Sequence, residues 1–375
     1  MTNYFINKNE IKKNALDQVV SFEEKGIGDI SVFPDIHYCN EKNIPVGVAF
    51  RTKDEFHPLV TGKDLGCGVM YLKYKKEDVI KPFNKHEHYR AFEKQSYQMT
   101  DDGLGGGNHF LSIEEGDDNF IYIICHTGSR NLGISLYHKF TRMIDDFNFD
   151  ESVTGTSLPK PKWDEELAKY YESILLFATN RRKEFVLKTL MMLQTNGYVK
   201  CDKTKIDKSY LKNSFKALDN EGKLNDTYYK IQDSIHNHIR MDDHGFVHRK
   251  GATELIPGQE AVIPLSMTRG SFIVAPSNRY YHLDQSNYSC SHGAGRQLSR
   301  TDSLKHWQSG MKKKEKENYK KDFFELLDRN GNFPNGYIQE FDFAYKPSED
   351  LLINQPHITK IASTKPIATV KFTEI

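Results

Sequence analysis

Apolar and polar positions change their rhythm several times along this chain. Through about residue 135 the apolar positions come in short runs broken by glycine-rich turns. The clearest are VGVAFRT (46–52) and FIYIICH (120–126), and runs of this length bounded by Gly, Asn and Asp predict strands. From Trp163 to Leu193 the run WDEELAKYYESILLFATNRRKEFVLKTLMML sets apolar residues at helical spacing with no Gly or Pro, which predicts one long helix. The polar, lysine-rich stretch at 200–226 reads as a solvated surface insertion. After Ile235 strand character returns in GFVHRKGAT, AVIPLSMTRGSFIV and the terminal KPIATVKFTEI. Between the last two, MKKKEKENYKKDFFELL reads as an exposed charged helix within reach of nucleic acid phosphates. There is no internal repeat and no clear linker. The pattern predicts one α+β domain over residues 1–375, with a mixed β core and a helical, lysine-rich insertion at 140–230.

The segment GGGNHFLSIEEGDDNFIYIICHTGSRNLG (105–133) holds two glycine-rich turns, an apolar run and two histidines. It predicts a hairpin of strands His109–Glu114 and Phe120–Cys125, the second apolar enough to be buried on both faces. A turn centred on Gly116–Asp118 sets His109 opposite His126, and directly opposed residues have Cβ atoms roughly 4.5–5.5 Å apart. Two imidazoles so placed either share or flank metal ions, or simply hydrogen-bond at a strand end. The neighbouring glycines leave backbone uncovered for a ligand's approach.

Composition narrows the field. With 52 basic and 51 acidic residues in 375 the net charge is +1, which excludes a histone-like, uniformly basic surface but not a local basic groove. Five cysteines, at 39, 67, 125, 201 and 290, form no CxxC pair. Together with a polar N-terminus and no apolar run near the roughly 20 residues of a membrane span, they predict a cytoplasmic protein with no membrane association.

Chemistry-bearing residues sit in similar settings far apart in the chain: Asp64 and Cys67 in GKDLGCGVM, His109 and His126 in the hairpin, His236 in SIHNHIR, His248 in FVHRKGAT, and His292 in SCSHGAGRQLSR. A carboxylate, a thiolate and imidazoles complete one or two metal sites, and ligand softness alone suggests zinc. Taken singly, each has a plainer reading, Cys67 as a small buried hydrophobe and His236 as a satisfied surface histidine. Their shared placement beside Gly, Asn and Ser favours ligation. In SHGAGR, small neighbours leave His292 accessible and Arg296 can meet a phosphate bidentately. That imidazole can act as a nucleophile forming a phosphoramidate, or as a general acid or base. The lysine of the KxDG nucleotidyl-transfer motif has no counterpart, since GKDLG has the wrong order.

The series FPDIHYC, GKDLGCGV, LGGGNHF, HTGSRNLG, IHN, VHRKGAT, IPLSMTRGSFIV, SHGAGR and KPIATVKF resembles, in this order and over nearly the whole chain, the RtcB family of RNA ligases. The long helix, with FATNRR, is similar to the family's ANRQ helix. The resemblance implies a GTP-dependent enzyme with two manganese ions, in place of zinc, that joins an RNA 3′-phosphate or 2′,3′-cyclic phosphate to a 5′-hydroxyl, as in RNA repair or tRNA processing. It implies Asp64, Cys67, His109, His126 and His236 as metal ligands, with Cys67 bridging, and His292 as the acceptor of GMP. Asn108, Ser266, Met267, Arg296 and Lys371 would form the nucleotide site, and Asp35, His37, Arg130, Arg249 and Lys250 would contact RNA or phosphate. An end-capping nucleotidyltransferase or metal-dependent phosphoesterase would share the same centre, and an RNA-binding relative without catalysis is a third reading.

Three motifs depart from the family's pattern: GSRNLG for GSRGLG, IPLSMTRG for IPGSMGT, and Ser112 where the family has a glutamate two residues after the Phe of GGGNHF. Serine is shorter and neutral, and Glu114, about 6.5–7 Å further along a strand, is expected to fall short of a base. The expectation is weaker discrimination of GTP from ATP.

Overall fold

The computed structural model describes residues 1–371 except 25, 27, 40–43, 98–102, 147–157, 160–164 and 202–218. The first part of the chain runs β1 (Thr2–Tyr4), α1 (Lys13–Glu24), β2 (Ile30–His37), β3 (Val46–Thr52), β4 (Glu55–Phe56), β5 (Gly68–Lys75), α2 (Lys85–Tyr97), β6 (Phe110–Gly116), β7 (Phe120–Thr127) and α3 (Asn131–Asp146). Next come β8 (Leu158–Pro159), α4 (Glu165–Thr195), β9 (Glu221–Leu224), β10 (Thr227–Ile235), β11 (Asn237–Asp242), β12 (Gly245–Lys250) and β13 (Ala252–Glu254). The last part holds β14 (Ala261–Ser266), β15 (Gly270–Pro276), α5 (Tyr280–Gln285), β16 (Ser289–Ser291), α6 (Arg300–Lys305), α7 (Lys313–Asp322), α8 (Asn335–Ile338), α9 (Ser348–Ile353) and β17 (Ile358–Val370).

Two sheets carry the fold, which is α+β as the sequence predicts. One has the order β1-β2-β3-β12-β11 and the other β14-β15-β17-β6-β7-β5-β10-β9. The apolar runs at 68–75 and 120–127 are central strands of the larger sheet, and alternation divides their side chains between two cores. Met70, Leu72, Ile123 and Cys125 pack with Phe185, Val186 and Leu190 of α4, while Val69, Tyr71, Tyr122 and Ile124 meet Val262 and Ile273. The helix α4, expected to belong to an insertion, is therefore an integral layer of the core. The charged helix is present as α7. The lysine-rich stretch at 202–218 and the last four residues lie outside the described positions. No helix among the described residues is long and apolar enough to cross a membrane.

Two expectations change. Residues before 135 are not strands alone, because α1 and α2 lie among them. On α1 the buried positions Ala15, Val19 and Phe22 form one narrow stripe against Ile30, Val48 and Phe50, and charged neighbours dilute that stripe in sequence. The hairpin's register is also shifted by one residue. Phe110, not His109, pairs with His126, and Glu115 pairs with Ile121. The loop after Gly116 takes three residues, closing through Asn119 at φ 65°, and a left-handed residue at this place is how a three-residue loop reverses the chain. His109 thus stands just before the strand rather than on it.

Truncating the α4 contact checks this layering. Leu190→Ala, at a side chain with no exposed surface, is expected to cost about 2–5 kcal/mol in urea unfolding. A loss under about 1 kcal/mol would contradict α4 as a core layer.

Candidate metal and nucleotide centre

Strand pairing brings the first donors together. Gly68, the first residue of β5, pairs with Thr127 at the end of β7 on one side and with Ile235 at the end of β10 on the other. Cys67, His126 and His236 therefore meet at one edge of three adjacent strands. His236 N donates to Cys67 O at 2.9 Å, and Gly66 N donates to Asn237 O at 2.8 Å, which ties the two turns. His109 reaches the same place from the loop before β6, and Asp64 from the turn before β5.

Cys67 Sγ lies 3.2 Å from His126 Nε2 and 3.5 Å from His109 Nε2. His126 Nε2 and His236 Nε2 are 3.4 Å apart, and His109 Nε2 is 3.0 Å from Asp64 Oδ2. Two sets of donors result, Cys67–His126–His236 and Asp64–Cys67–His109, with Cys67 in both. His126 Nδ1 lies 3.1 Å from Asn108 O, so that it donates there and leaves Nε2 as the free lone pair. Burial, then the neighbouring histidines, pushes the pKa values of His126 and His236 well below the usual imidazole value, which keeps them neutral. Burial works to raise Asp64, but the hydrogen bond and charge of His109 dominate and bring it down to about 2. Burial, then Asp64, pushes the Cys67 thiol up, so a coordinated cation would be needed to hold it as thiolate. Facing nitrogens on buried imidazoles, a carboxylate and a shared sulfur form a donor set that fits one or two divalent transition-metal ions.

Two arginines of α4 hold this edge from below. Arg182 has no exposed side-chain surface. It donates through Nε and Nη2 to the two oxygens of Asp233, each at 2.7 Å, and through Nη1 to Gly66 O at 2.7 Å and Thr127 O at 2.8 Å. Those carbonyls flank Cys67 and His126. Arg181 donates to Gly103 O and to Gly128 O, beside the two glycine-rich loops. Two of the glycines serve close approach by protein, since a Cβ on Gly128 would fall 2.8 Å from Asp64 Cγ and one on Gly105 would strike the His109 ring, while Gly106 and Gly107 face open space.

His292 follows β16, and its ring lies 4.9 Å from that of His236. Its backbone N donates to Asp35 Oδ2 at 3.0 Å, and its Nδ1 is paired with the same oxygen. Burial opposes charge on this ring, yet Asp35 and the Gly251 backbone raise its pKa. A cavity of about 500 Å³ opens here. Asn108, His126, His292, Ser266, Met267, Arg296 and Lys371 all line it, as do Asp35 and His37. Lys371 Nζ is 2.7 Å from Glu340 Oε1, and Arg296 and Arg300 converge on the same carboxyl at 3.5 Å and 3.9 Å.

Other expected residues lie elsewhere. Arg249 is not a free phosphate contact: it is buried and occupied by Glu254 at 3.2 Å, Ser289 Oγ at 2.8 Å and Asn287 O at 3.2 Å. His248 stacks on Phe50 at 4.6 Å, and its Nε2 accepts from His57 N at 3.0 Å, so its role is packing. Lys250 is buried, and its Nζ has no partner among the described residues, and Arg130, at φ 56°, lies against Gly105; neither lines the cavity. Ser112 has no exposed surface, and Glu114, expected to fall short, does line the cavity. A bulge in β17 between Pro366 and Ala368 faces this point of β6. Sequence reasoning missed Glu340, Arg182 and the pairing of Asp35 with His292. Only the doubled arginine in FATNRR, inside an otherwise amphipathic helix, carried a signal.

The family model described as tRNA-splicing ligase RtcB matches residues 73–372. The chain is similar to RNA-splicing ligase RtcB2 of Escherichia coli, with 21% identity over 310 residues that cover 72% of this chain and 68% of the relative. It is similar to RNA-splicing ligase RtcB of Escherichia coli K12, with 26% identity over 333 residues covering 74% and 76%. It is also similar to tRNA-splicing ligase RtcB of Methanococcus maripaludis, with 25% identity over 389 residues covering 88% and 74%.

Two substitutions separate scaffold from site. Arg182→Leu removes the cation from half-buried Asp233 and a donor from two carbonyls, and a loss of about 1–3 kcal/mol is expected in urea unfolding. Gly128→Ala is expected to cost less than about 2 kcal/mol yet to lower bound metal, measured by elemental analysis, because its methyl displaces Asp64. Full metal content in Gly128→Ala would contradict Asp64 as part of the site.

Proposed function

The chain belongs to the RtcB family, and from that premise we propose that it is an RNA ligase joining 3′-phosphate or 2′,3′-cyclic phosphate ends to 5′-hydroxyl ends with GTP. The single observation that carries the chemistry is His292, its Nδ1 held by Asp35, standing 4.9 Å from His236 of the donor cluster in the cavity of Arg296 and Lys371.

In this reading Asp64, Cys67, His109, His126 and His236 would hold two divalent ions, Cys67 belonging to both donor sets. Bound there, the ions would neutralise phosphate charge and supply Lewis acidity at the reacting phosphorus. Manganese follows from the family resemblance; the thiolate and imidazoles alone would also suit zinc. Arg296 and Lys371, anchored by Glu340, bind and orient the triphosphate, and Asn108 lies beside it. Asp35 accepts from His292 Nδ1–H and so leaves Nε2 as the nucleophile. Nε2 forms a bond to the α-phosphorus and pyrophosphate leaves. An oxygen of the RNA 3′-phosphate then attacks that phosphorus, the N–P bond breaks, and His292 regains its lone pair. The 5′-hydroxyl attacks the activated RNA phosphate and gives up its proton to solvent, and GMP leaves as the 3′,5′-phosphodiester forms. His37, which lines the cavity, would meet the RNA phosphate. Asp35 comes from the smaller sheet and the donors at 67 and 126 from the larger, so the chain acts as one catalytic unit.

Incubation with manganese and GTP labelled at the α-phosphate is expected to label the protein through an acid-labile bond that His292→Ala abolishes. Undiminished labelling in that variant would sink the assignment. Cys67→Ala and His109→Ala are each expected to abolish joining of 3′-phosphate and 5′-hydroxyl RNA ends and to lower metal content, with the fold retained. Capped 3′ ends that never join would point instead to an end-capping nucleotidyltransferase.

A further inference from the structure

A cavity of about 500 Å³ has the size of a small-molecule pocket, so a strand of RNA with its end there lies mostly outside it. Positive charge outside the cavity is concentrated in one place. Residues 305–322, KHWQSGMKKKEKENYKKD, carry seven lysines against Glu315, Glu317 and Asp322, a net +4. The whole chain is only +1, so the remainder is acidic at −3. Lys313, Lys314 and Lys321 of α7 are exposed, Lys313 by 92%.

The helix is fastened beside the cavity. Tyr319 stacks on Phe341 at 4.9 Å and donates to Asp342, whose backbone N donates to Thr268 Oγ1 at 3.1 Å. Thr268 directly follows Ser266 and Met267 of the cavity wall. On the flanks of the Tyr319 face, Lys316 Nζ donates to Gln308 O at 3.0 Å and Lys320 Nζ to Gly331 O at 2.6 Å. With that face turned inward, helical spacing sets Lys314 and Lys321, seven residues and about 10.5 Å apart, on the outward face beside Lys313. Among the described residues Lys314 and Lys321 form no ion pair, and Lys313 meets only Glu317, at 4.0 Å. Arg300, which lines the cavity, and Lys305 stand on α6, joined to α7 by the turn at 306–310.

The outward face holds no apolar residue, since the ring of Tyr319 is spent on Trp307, Phe323 and Phe341. A helix that lies on a membrane needs an apolar face to bury, and a protein interface is anchored by aromatic or aliphatic side chains in pockets. This face offers neither. Solvated lysines without anchors suit a polyanion bound by charge alone, with counterions released as its phosphates are neutralised. We propose that the outward face of α7 docks the sugar-phosphate backbone of the RNA beyond its reacting end, independently of base sequence. The inference rests on the reading above that RNA is the substrate.

The test is fluorescence anisotropy of a single-stranded RNA of about 20 nucleotides, ending in a 3′-phosphate, with the full chain and no GTP between about 50 and 200 mM KCl. Combining Lys313→Gln, Lys314→Gln and Lys321→Gln is expected to weaken binding about ten-fold at the low-salt end. The slope of log affinity against log salt should flatten by about 2, since each phosphate contact with a single strand contributes about 0.7. Glu317→Gln, which releases Lys313, is expected to tighten binding about two-fold or more, a change of opposite sign that a damaged fold would not produce. No binding of the RNA, an unchanged slope in the triple variant, or weaker binding by Glu317→Gln would each overturn the proposal. So would tighter, lysine-dependent binding to vesicles of phosphatidylcholine and phosphatidylserine than to RNA. Docking needs no transfer to His292, so the two readings fail separately. A lysine-dependent salt slope in a chain that never joins ends would uphold the dock and overturn the ligase chemistry. Joining of RNA with an unchanged slope in the triple variant would do the reverse.

Discussion

The buried guanidinium of Arg182 is the constraint on which the candidate centre depends. Its cation is removed from water, so it must be neutralised and its N–H groups must find acceptors, or the cost is several kcal/mol. Asp233 on β10 supplies the charge, and the carbonyls of Gly66 and Thr127 take further donors. These acceptors belong to the ends of three neighbouring strands, the same ends that carry Cys67, His126 and His236. Satisfying one side chain of α4 therefore fixes the relative positions of three donor residues. Asp64 and His109 are then admitted because Gly128 and Gly105 present bare backbone at their sides.

Charge is distributed along the cavity in a way that suits a nucleotide. The donor cluster keeps His126 and His236 neutral and ready to ligate. Next to it, His292 is paired with Asp35. Further along, three cations share the single carboxylate of Glu340, which leaves a local excess of positive charge for phosphates although the chain as a whole is nearly neutral.

Much of this was legible in the sequence, for reasons that differ by residue. The strands at 46–52 and 120–127 and the long helix declared themselves by periodicity, because burial on two faces or one long stripe leaves an unmistakable pattern. The five donors and His292 were singled out by their glycine-rich settings and grouped by family resemblance; spacing alone left metal and hydrogen-bond readings open. The hairpin register was not legible, since one left-handed residue, Asn119, decides it. Nor was the cavity-lining position of Glu114, which accepts from Thr364 Oγ1 250 positions away. The pairing of Asp35 with His292 spans 257 positions, and no local pattern announces such a contact. Arg249 misled because an arginine in a motif resembling the family's reads as a phosphate ligand until its buried acceptors are seen.

The central claim is that this centre activates an RNA 3′-phosphate and retains it in the product. The most direct measurement follows that atom: an RNA labelled in its 3′-terminal phosphate is joined to a 5′-hydroxyl end with GTP and manganese, and the product is treated with phosphatase and then digested to nucleotides. The account predicts that the label becomes phosphatase-resistant and is recovered in the junction nucleotide. Release of the label as inorganic phosphate, with or without joining, would contradict it.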